Sequence, residues 1–294
     1  MQCLQPIRVK GQLMPCGRCP NCMRNKQNSW VFRLNEELKI SPYTYFFTLT
    51  YRDADLNYAC YVSEKRVFPC LSKRDLQLFL KRLRKNTKVK FKYHICGEYG
   101  PTTLRPHYHG LLFCQQPLHA DDVLSAWNHQ DLLGKCFEAC WSRSAVGYVS
   151  KYLCKTPFLP DYIRLSEKCY RPFTLSSKGL GLSFLECNSQ LVNKKISQLE
   201  DFVVLDGQKL PMPKYYRDKL FPVGTDIHDD MKLKRLDISM KKKEDLFVAF
   251  CYKNNLDPFS KDSESKYELF LSMNRRDAWR KVYKKHQEKI KDKL

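Results

Sequence analysis

The chain has 294 residues, 43% of them hydrophobic and 28% charged, and this composition excludes wholesale disorder. Its 52 Lys and Arg residues outnumber its 31 Asp and Glu residues, so the net charge of +21 predicts a polyanionic partner, either nucleic acid or an acidic lipid surface. No apolar stretch approaches the ~18 residues that a spanning helix needs, which excludes an integral membrane protein.

The first predicted elements occupy the N-terminal third. Residues 1–22 contain Pro and Gly at short intervals and predict an irregular segment. An amphipathic pattern from Asn21 to about Ile40 predicts a helix. Thr and aromatic residues dominate Tyr43–Tyr51, which predicts a buried strand. Ser72 is a candidate N-cap for a helix that ends near Asn86 and has one basic face.

Strands and helices alternate through the middle of the chain. Tyr93–Tyr99 and His107–Cys114 have the composition of two strands joined by a turn. A short helix over Asp121–Trp127, a strand over Cys136–Trp141 and a helix over Ala145–Lys155 follow. This alternation predicts an α+β fold, in which helices pack on an antiparallel sheet.

Beyond Pro157 the patterns weaken. Ser189–Leu199 is predicted to be helical, and Leu210–Pro213 is predicted to be an extended connector. The highly charged segment Lys261–Leu294 predicts a solvated tail helix with sparse apolar anchors. These patterns divide the chain into three regions. Residues 1–42 form a Cys-rich segment with its helix, residues 43–186 form an α+β core, and residues 187–294 form a basic, largely helical region.

A strand with two histidines is the most informative stretch. His107 and His109 are separated by one residue, so the period of a strand places them on one face. Glu98 on the neighbouring strand could complete an N2O site for a divalent ion, although a long hairpin would displace it. The alternative is two half-exposed strand histidines with no ligand role.

A predicted helix contains two tyrosines one turn apart. Tyr148 and Tyr152 share a face, and Lys151 and Lys155 each follow a tyrosine by three residues. Tyrosine needs nearby positive charge to act as a nucleophile, because its ordinary pKa is ~10. The alternative is an amphipathic helix whose tyrosines pack in the core.

Cysteine usage indicates a reducing compartment and one metal site. Most of the 14 cysteines stand singly, as small buried hydrophobes do, so we predict a cytoplasmic setting. Cys16, Cys19 and Cys22 form C-x2-C-x2-C, and Cys3 could complete a tetrahedral structural zinc site. Three-cysteine spacing also occurs around iron–sulfur clusters, and free thiols in a loop are the remaining alternative.

These motifs occur in an order that resembles a known family. Thr48–Tyr51, the His107-Tyr-His109 strand and the paired tyrosines resemble the three motifs of the HUH endonucleases. The set looks more closely like the replication initiators of gokushovirus-type microviruses. It comprises Pro15–Cys22, Gly97–Gly100, Arg105–His109 and Tyr148–Tyr152. The resemblance covers residues 3–186, including Ser177–Gly181.

The resemblance implies a ferredoxin-like antiparallel sheet and a rolling-circle initiator. In this family a metal ion (Mg²⁺ or Mn²⁺), here on His107, His109 and Glu98, polarises a phosphodiester of single-stranded origin DNA. A tyrosine attacks it, giving a 5′-phosphotyrosine and a free 3′-OH. Two tyrosines permit a second cleavage that closes the circle, and we expect Tyr148 to act first.

The resemblance also implies partners and a location. We expect the chain to bind single-stranded DNA and the double-stranded replicative-form origin in the host bacterial cytoplasm. The sequence lacks a P-loop, so unwinding requires a host helicase, and a host DNA polymerase extends the 3′-OH. The predicted contacts to DNA are Arg82, Arg84, Lys85 and Arg105.

Two rival functions remain open. A transposase or relaxase would use the same histidine strand, although single-tyrosine transposases lack the tyrosine pair. A non-enzymatic, basic single-stranded DNA-binding or packaging protein would use the cysteines as a zinc knuckle and the tyrosines for base stacking. Such a binder would tolerate Tyr→Phe substitutions, whereas a nuclease would not.

Overall fold

A computed structural model describes residues 3–9, 11–61, 66–100, 103–127, 135–138, 146, 163 and 170–291 of the chain. The strands are β1 (Ile7–Val9), β2 (Gln12–Met14), β3 (Tyr43–Leu49), β4 (Tyr58–Tyr61), β5 (Arg66–Pro69), β6 (Phe91–Tyr99), β7 (Pro106–Cys114), β8 (Lys135–Glu138), β9 (Phe173–Ser176), β10 (Phe202–Leu205) and β11 (Gln208–Pro211). The helices are α1 (Pro20–Lys39), α2 (Lys73–Thr87), α3 (Ala120–Trp127), α4 (Ser183–Glu186), α5 (Ser189–Ser197), α6 (Lys214–Leu220), α7 (Asp226–Lys253) and α8 (Lys261–Lys291).

The chain divides into two compact units. One unit is Lys26–Cys187, and the other joins Met1–Asn25 to Asn188–Leu294. The first unit contains a five-stranded sheet in the order β8-β3-β7-β6-β9, in which every neighbouring pair is antiparallel. Helices pack on this sheet, so the predicted α+β class is confirmed.

Strand alternation gives the sheet two different faces. Tyr108 and Leu112 of β7 point to a core that contains the apolar stripe of α2 and the buried side chains of α3. Leu111 and Phe113 point to the opposite face, where they pack with α1 side chains such as Leu34. His107 and His109 have the parity of Leu111, so they lie on the face that α1 covers.

A glycine-containing loop is fastened to α1 on this second face. The loop is the Ser177–Gly181 segment, and the backbone N–H of Gly181 donates to the buried carboxylate of Glu37 at 2.8 Å. The guanidinium of Arg33 donates to the carbonyl of Leu180 at 3.0 and 3.2 Å. Gly181 has a φ of 73°, a conformation that favours glycine. These bonds fix the loop against the helix that borders the histidine face.

The N-cap of α2 is the one predicted from the sequence. The Ser72 hydroxyl accepts the backbone N–H of Asp75 at 3.1 Å, and Asp75 lies in the first turn, where its charge favours the helix dipole. We expect Ser72→Ala to lower the free energy of unfolding by about 1 kcal/mol, because that N–H loses its acceptor. Urea unfolding measures the change, with Ser72→Asp as the control that keeps an acceptor. Equal destabilisation in both variants would contradict the capping role.

The Asn188–Leu294 part of the second unit is mainly helical. Rings of α7 and α8 pack together, with centroid distances of 5.2 Å for Phe247–Tyr267 and 4.9 Å for Phe250–Phe270. The predicted tail helix therefore exists, and Tyr267 and Phe270 are among its anchors. Within the described residues, no helix combines the length and the apolar character needed to cross a membrane.

Candidate metal centres

The first candidate metal centre lies on the paired strands β6 and β7. In the register of these strands Glu98 is directly opposite His107, so the hairpin does not displace the carboxylate. Oxygen Oε1 of Glu98 lies 2.8 Å from Nε2 of His107 and 3.4 Å from Nε2 of His109. The structure therefore brings the three predicted ligands together as a candidate metal-binding group.

Hydrogen bonds on the far side of each ring orient the two imidazoles. Nδ1 of His107 donates to the carbonyl of Arg105 at 3.1 Å, and Nδ1 of His109 is hydrogen-bonded to the Thr48 hydroxyl at 2.9 Å. A carbonyl can only accept, so the proton of a neutral His107 is on Nδ1 and its Nε2 lone pair faces the carboxylate. Two acceptor atoms 2.8 Å apart need a proton or a metal ion between them.

The spacing of the three ligand atoms suits a small divalent ion. Neighbouring ligands of an octahedral ion at about 2.1 Å are about 3 Å apart, close to the separations observed here. The carboxylate of Glu98 is 7% exposed and the side chain of His107 is 18% exposed, so the site is most accessible beside His107. Three protein ligands leave further coordination positions for a substrate oxygen.

Thr48 is a site residue whose role the sequence analysis did not predict. It is paired in register with His109 across β3 and β7, and its hydroxyl orients that imidazole. Phe46, two residues earlier on the same face, stacks on the His109 ring with 10° between the planes. Thr48 begins the Thr48–Tyr51 motif, but only the register of β3 and β7 shows that it contacts His109.

A third histidine on the same face is buried and has a structural role. His94 is fully buried, its ring lies 4.5 Å from that of Trp30, and its Nδ1 is hydrogen-bonded to the Ser176 hydroxyl at 2.7 Å. Burial, reinforced by the positive charges of Arg33 and Lys26, lowers the pKa of His94 to about 3. The neutral imidazole is therefore the native form.

The depressed pKa of His94 predicts a loss of stability in acid. In the unfolded chain the pKa of a histidine is ~6.5. Between that pH and about 3, the unfolded chain therefore binds more protons than the native protein does, so the free energy of unfolding falls as the pH falls. From pH 7 to 5 this amounts to about 2 kcal/mol. Urea unfolding at both pH values compares the wild type with His94→Gln, which cannot titrate. Equal acid losses in the two proteins would contradict this assignment.

The second candidate metal centre consists of the four predicted cysteines. The sulfur atoms of Cys3, Cys16, Cys19 and Cys22 all lie within 4.8 Å of one another, and Sγ of Cys3 is 3.9 Å from Sγ of Cys19. Ligands of a tetrahedral zinc ion at about 2.3 Å are about 3.8 Å apart, so this spacing fits zinc. Backbone N–H groups of Cys16 and Cys19 donate to the sulfurs of Cys3 and Cys16, each at 3.3 Å.

The thiols of this cluster differ in acidity. Burial alone would raise the pKa of Cys19, but hydrogen bonds from the backbone of Leu4 and Cys22 lower it to about 6. Burial raises the pKa of Cys22 to about 12. One thiolate therefore forms readily near neutral pH, and a bound cation would favour ionisation of the others.

The remaining predicted catalytic residues lie outside the described part of the chain. These residues are Tyr148, Tyr152, Lys151 and Lys155. Val146, two positions before Tyr148, is described as helical and buried. It packs with Leu111 and Phe113 on the face of the sheet that contains the histidines.

Three of the four residues predicted to contact DNA also make contacts within the fold: Arg82, Arg84 and Arg105. Arg82 donates to the carbonyls of Ala126 and Trp127, the last residues of α3. The Arg84 guanidinium lies 4.7 Å from the ring centre of Phe91, whereas the side chain of Lys85 is exposed. Arg105 is the third of the residues that make contacts within the fold, and it donates to the carboxylate of Asp53 and to the carbonyl of Tyr51.

Comparisons with known proteins find similarity to replication-associated proteins of viruses. The family model for the replication-associated protein ORF2 matches residues 44–157. The replication-associated protein ORF2 of Spiroplasma virus 4 is 28% identical over 69% of this chain and 66% of its own length. The replication-associated protein VP4 of Bdellovibrio phage phiMH2K is 26% identical over the same shares. No solved structure matches the chain significantly.

The match has clear bounds. The chain spans just under two thirds of the length of these two relatives. The segment that matches the family model contains the three predicted metal ligands, Glu98, His107 and His109, and both predicted nucleophiles, Tyr148 and Tyr152. The comparisons therefore confirm the resemblance, first indicated by the motifs, to the replication-associated proteins of microvirus-type phages.

Proposed function

We propose that the chain initiates rolling-circle replication by nicking single-stranded origin DNA through a tyrosine nucleophile, as an HUH-type endonuclease with a ferredoxin-like core. The observation that supports this most strongly is the triad of Glu98, His107 and His109, whose ligand atoms converge on one point. The names of the two viral relatives support a role in replication. The net charge of +21 suits a nucleic-acid substrate.

In this mechanism the triad would hold Mg²⁺ or Mn²⁺, which supplies Lewis-acid polarisation of the scissile phosphate. Arg105 and Thr48 orient the two imidazoles through the bonds described above, so both Nε2 atoms face the same point as the carboxylate. The low exposure of Glu98 and His109 limits the access of bulk water to these two ligands. The chain thus prepares a negatively charged, oxygen- and nitrogen-lined site before DNA binds.

The covalent step belongs to the tyrosines. The phenolate oxygen of Tyr148 forms a bond to phosphorus, the bond between phosphorus and the 3′ oxygen breaks, and that oxygen takes up a proton to become the 3′-OH. Lys151 and Lys155 would stabilise the phenolate and hold the DNA backbone. Tyr152 would make the second cut in the same way. The 3′-OH released there would then attack the phosphorus of the first phosphotyrosine, and the bond between phosphorus and the Tyr148 oxygen would break. The hydroxyl proton would pass to that phenol oxygen, which regenerates Tyr148 and closes the circle. Val146, two residues before Tyr148 in sequence, is buried with Leu111 and Phe113 on the histidine face, which supports a role for this segment of the chain in the reaction.

The four-cysteine cluster would hold a structural Zn²⁺. Zinc analysis by mass spectrometry is expected to find one ion per chain, and Co²⁺ substitution is expected to give the absorption bands of tetrahedral thiolate ligation. Cys19→Ser should lose both signals. Cys187→Ser is the matched control, because Cys187 is exposed and lies outside the cluster. Full zinc content in the Cys19 variant would contradict this site.

Partners follow from the proposed reaction. The substrate would be the origin as single-stranded DNA or within the double-stranded replicative form, in the cytoplasm of a bacterial host. A host helicase would separate the strands, and a host DNA polymerase would extend the 3′-OH. Arg82, Arg84, Lys85 and Arg105 remain predicted DNA contacts, and the side chain of Lys85 is exposed.

The test is a covalent protein–DNA adduct on a denaturing gel. Oligonucleotides that tile the genome encoding this chain are incubated with protein and Mn²⁺. We expect an adduct that requires metal, weakens in Tyr148→Phe or Tyr152→Phe, and disappears in the double variant. Salt-sensitive DNA binding that persists in every variant, with no adduct in the wild type, would instead support the non-enzymatic binding protein.

A further inference from the structure

The β1–β2 hairpin is held at its base by the cysteine cluster. Cys3 precedes β1 and Cys16 follows β2, and the sulfurs of both belong to the cluster. Each strand has only three residues, and so short a hairpin is not stable by itself. Gly11, with a φ of 80°, forms the tight turn at the tip. A metal ion at the cluster would therefore stabilise this exposed hairpin, which we call the finger.

This finger presents aliphatic side chains to solvent. Ile7 pairs with Met14 in the register, and Val9 lies two residues from Ile7, so the three share one face. They are 42%, 46% and 46% exposed, and Leu13 on the other face is 63% exposed. A compact chain rarely leaves so many apolar side chains of one small element in water unless they meet a partner.

The charge around the finger identifies the chemistry of that partner. No acidic residue occurs in Met1–Asn25, the N-terminal part of the unit that contains the hairpin, whereas four basic residues do. They are Arg8, Lys10, Arg18 and Arg24. Apolar side chains in a segment whose charged residues are all basic can bind a polyanion that also has an apolar interior. Stacked base pairs between two phosphate backbones meet this description.

We propose that the hairpin is a wedge that enters duplex DNA and separates its stacked bases with Ile7, Val9 and Met14. This inference rests on the proposed function, since a nuclease for single strands needs an opened duplex when it acts on the replicative form. Unstacking a base step costs a few kcal/mol, and basic side chains that contact the phosphates beside the wedge offset this cost.

The test compares a wedge variant with a matched control. The variant replaces Ile7, Val9 and Met14 with Ser, which leaves the charge and the cysteines unchanged. The control replaces Leu233, Leu236 and Met240 of α7 with Ser; these side chains are 54–58% exposed, like those of the hairpin. Zinc content is measured in all proteins, so that loss of the metal is not mistaken for loss of the wedge.

The first readout does not depend on cleavage. A duplex of alternating A and T, whose TA steps unstack easily, contains one 2-aminopurine that brightens when unstacked. Wild type and control are expected to raise its fluorescence. The wedge variant is expected to need at least about a tenfold higher protein concentration for the same rise. No rise with the wild type, or an equal rise with the variant, would overturn the proposal. Binding to anionic phospholipid vesicles in place of duplex would also overturn it.

The second readout separates the wedge from the nuclease. Adduct formation on the single-stranded oligonucleotide should be the same in all three proteins, whereas adduct formation on its duplex should fall about tenfold in the wedge variant alone. If no protein forms an adduct on the single strand, the proposed nuclease fails and the fluorescence assay still decides the wedge. If the wedge variant cleaves the duplex as well as the control does, the wedge is wrong and the nuclease stands.

Discussion

Glu98→Gln is expected to lower metal-dependent adduct formation at least about 100-fold, while the sheet remains folded. Loss of a residue that merely orients a ligand already costs ~10–100-fold, and Glu98 is the only anionic member of the triad. Glutamine has the same shape and removes the charge. At 2.8 Å its amide can still donate to Nε2 of His107, so the variant keeps a neutral hydrogen bond in place of the charged contact.

Metal binding gives a readout for Glu98 that is independent of cleavage. Mn²⁺ titration followed by electron paramagnetic resonance should show weaker binding in Glu98→Gln than in the wild type. Glu36→Gln is the control, because Glu36 is also buried but pairs with Lys39 away from the triad. Thermal unfolding in chelator reports on the fold. Wild-type Mn²⁺ affinity in Glu98→Gln would rule out the carboxylate as a ligand.

Gly110→Ala is expected to destabilise the first unit by about 3 kcal/mol, which corresponds to a decrease of roughly 6–12 °C in melting temperature. A Cβ at this position would lie 2.2 Å from Cζ of Phe47, and 2.6 and 2.8 Å from its two Cε atoms. Phe47 is fully buried and its ring packs 5.6 Å from that of Phe79, so it has no room to withdraw. The collision must therefore move the strand or the core.

A second substitution tests whether this collision is the cause. Phe47→Leu shortens the ring side chain, so the double variant should lose less stability than the sum of the two single losses. Gly100→Ala is the control, because its added Cβ would meet neighbours at no less than 3.6 Å. Differential scanning calorimetry of the four variants measures the effect. Additive losses in the double variant would show that Phe47 is not the obstacle.

The histidine site was predictable because its determinants are local. Period two placed His107 and His109 on one face, and a short turn was sufficient to bring Glu98 opposite His107. The contact of Thr48 with His109 was not predictable, because it depends on the pairing of β3 with β7 across a separation of 61 residues in sequence. Local patterns carry no information about that register.

The elements that the sequence analysis missed lack a periodic signal. The β1–β2 and β10–β11 hairpins have strands of three or four residues, too short for alternation to be recognised, and they replace a predicted irregular segment and part of an extended connector. Helix α7 has exposed apolar residues such as Leu233, Ile238 and Met240 on several sides, so no single stripe marks it. By contrast, Ser72 and the spaced leucines of α2 gave both a start signal and a face.

The central position of β7 in the sheet affects the order in which parts of the first unit unfold. Both edges of this strand are hydrogen-bonded to neighbours and both of its faces are covered, so its amide protons at His109 and Leu111 are expected to exchange with solvent only when the whole unit opens. Of the ligands of the candidate metal centre, His109 then belongs to the last region to unravel, whereas Glu98 and His107 lie just beyond the stretches that pair with β9 and β3. Fraying at the ends of β6 and β7 is therefore expected to separate Glu98 and His107 first, and the displacement of His109 should coincide with cooperative melting of the unit.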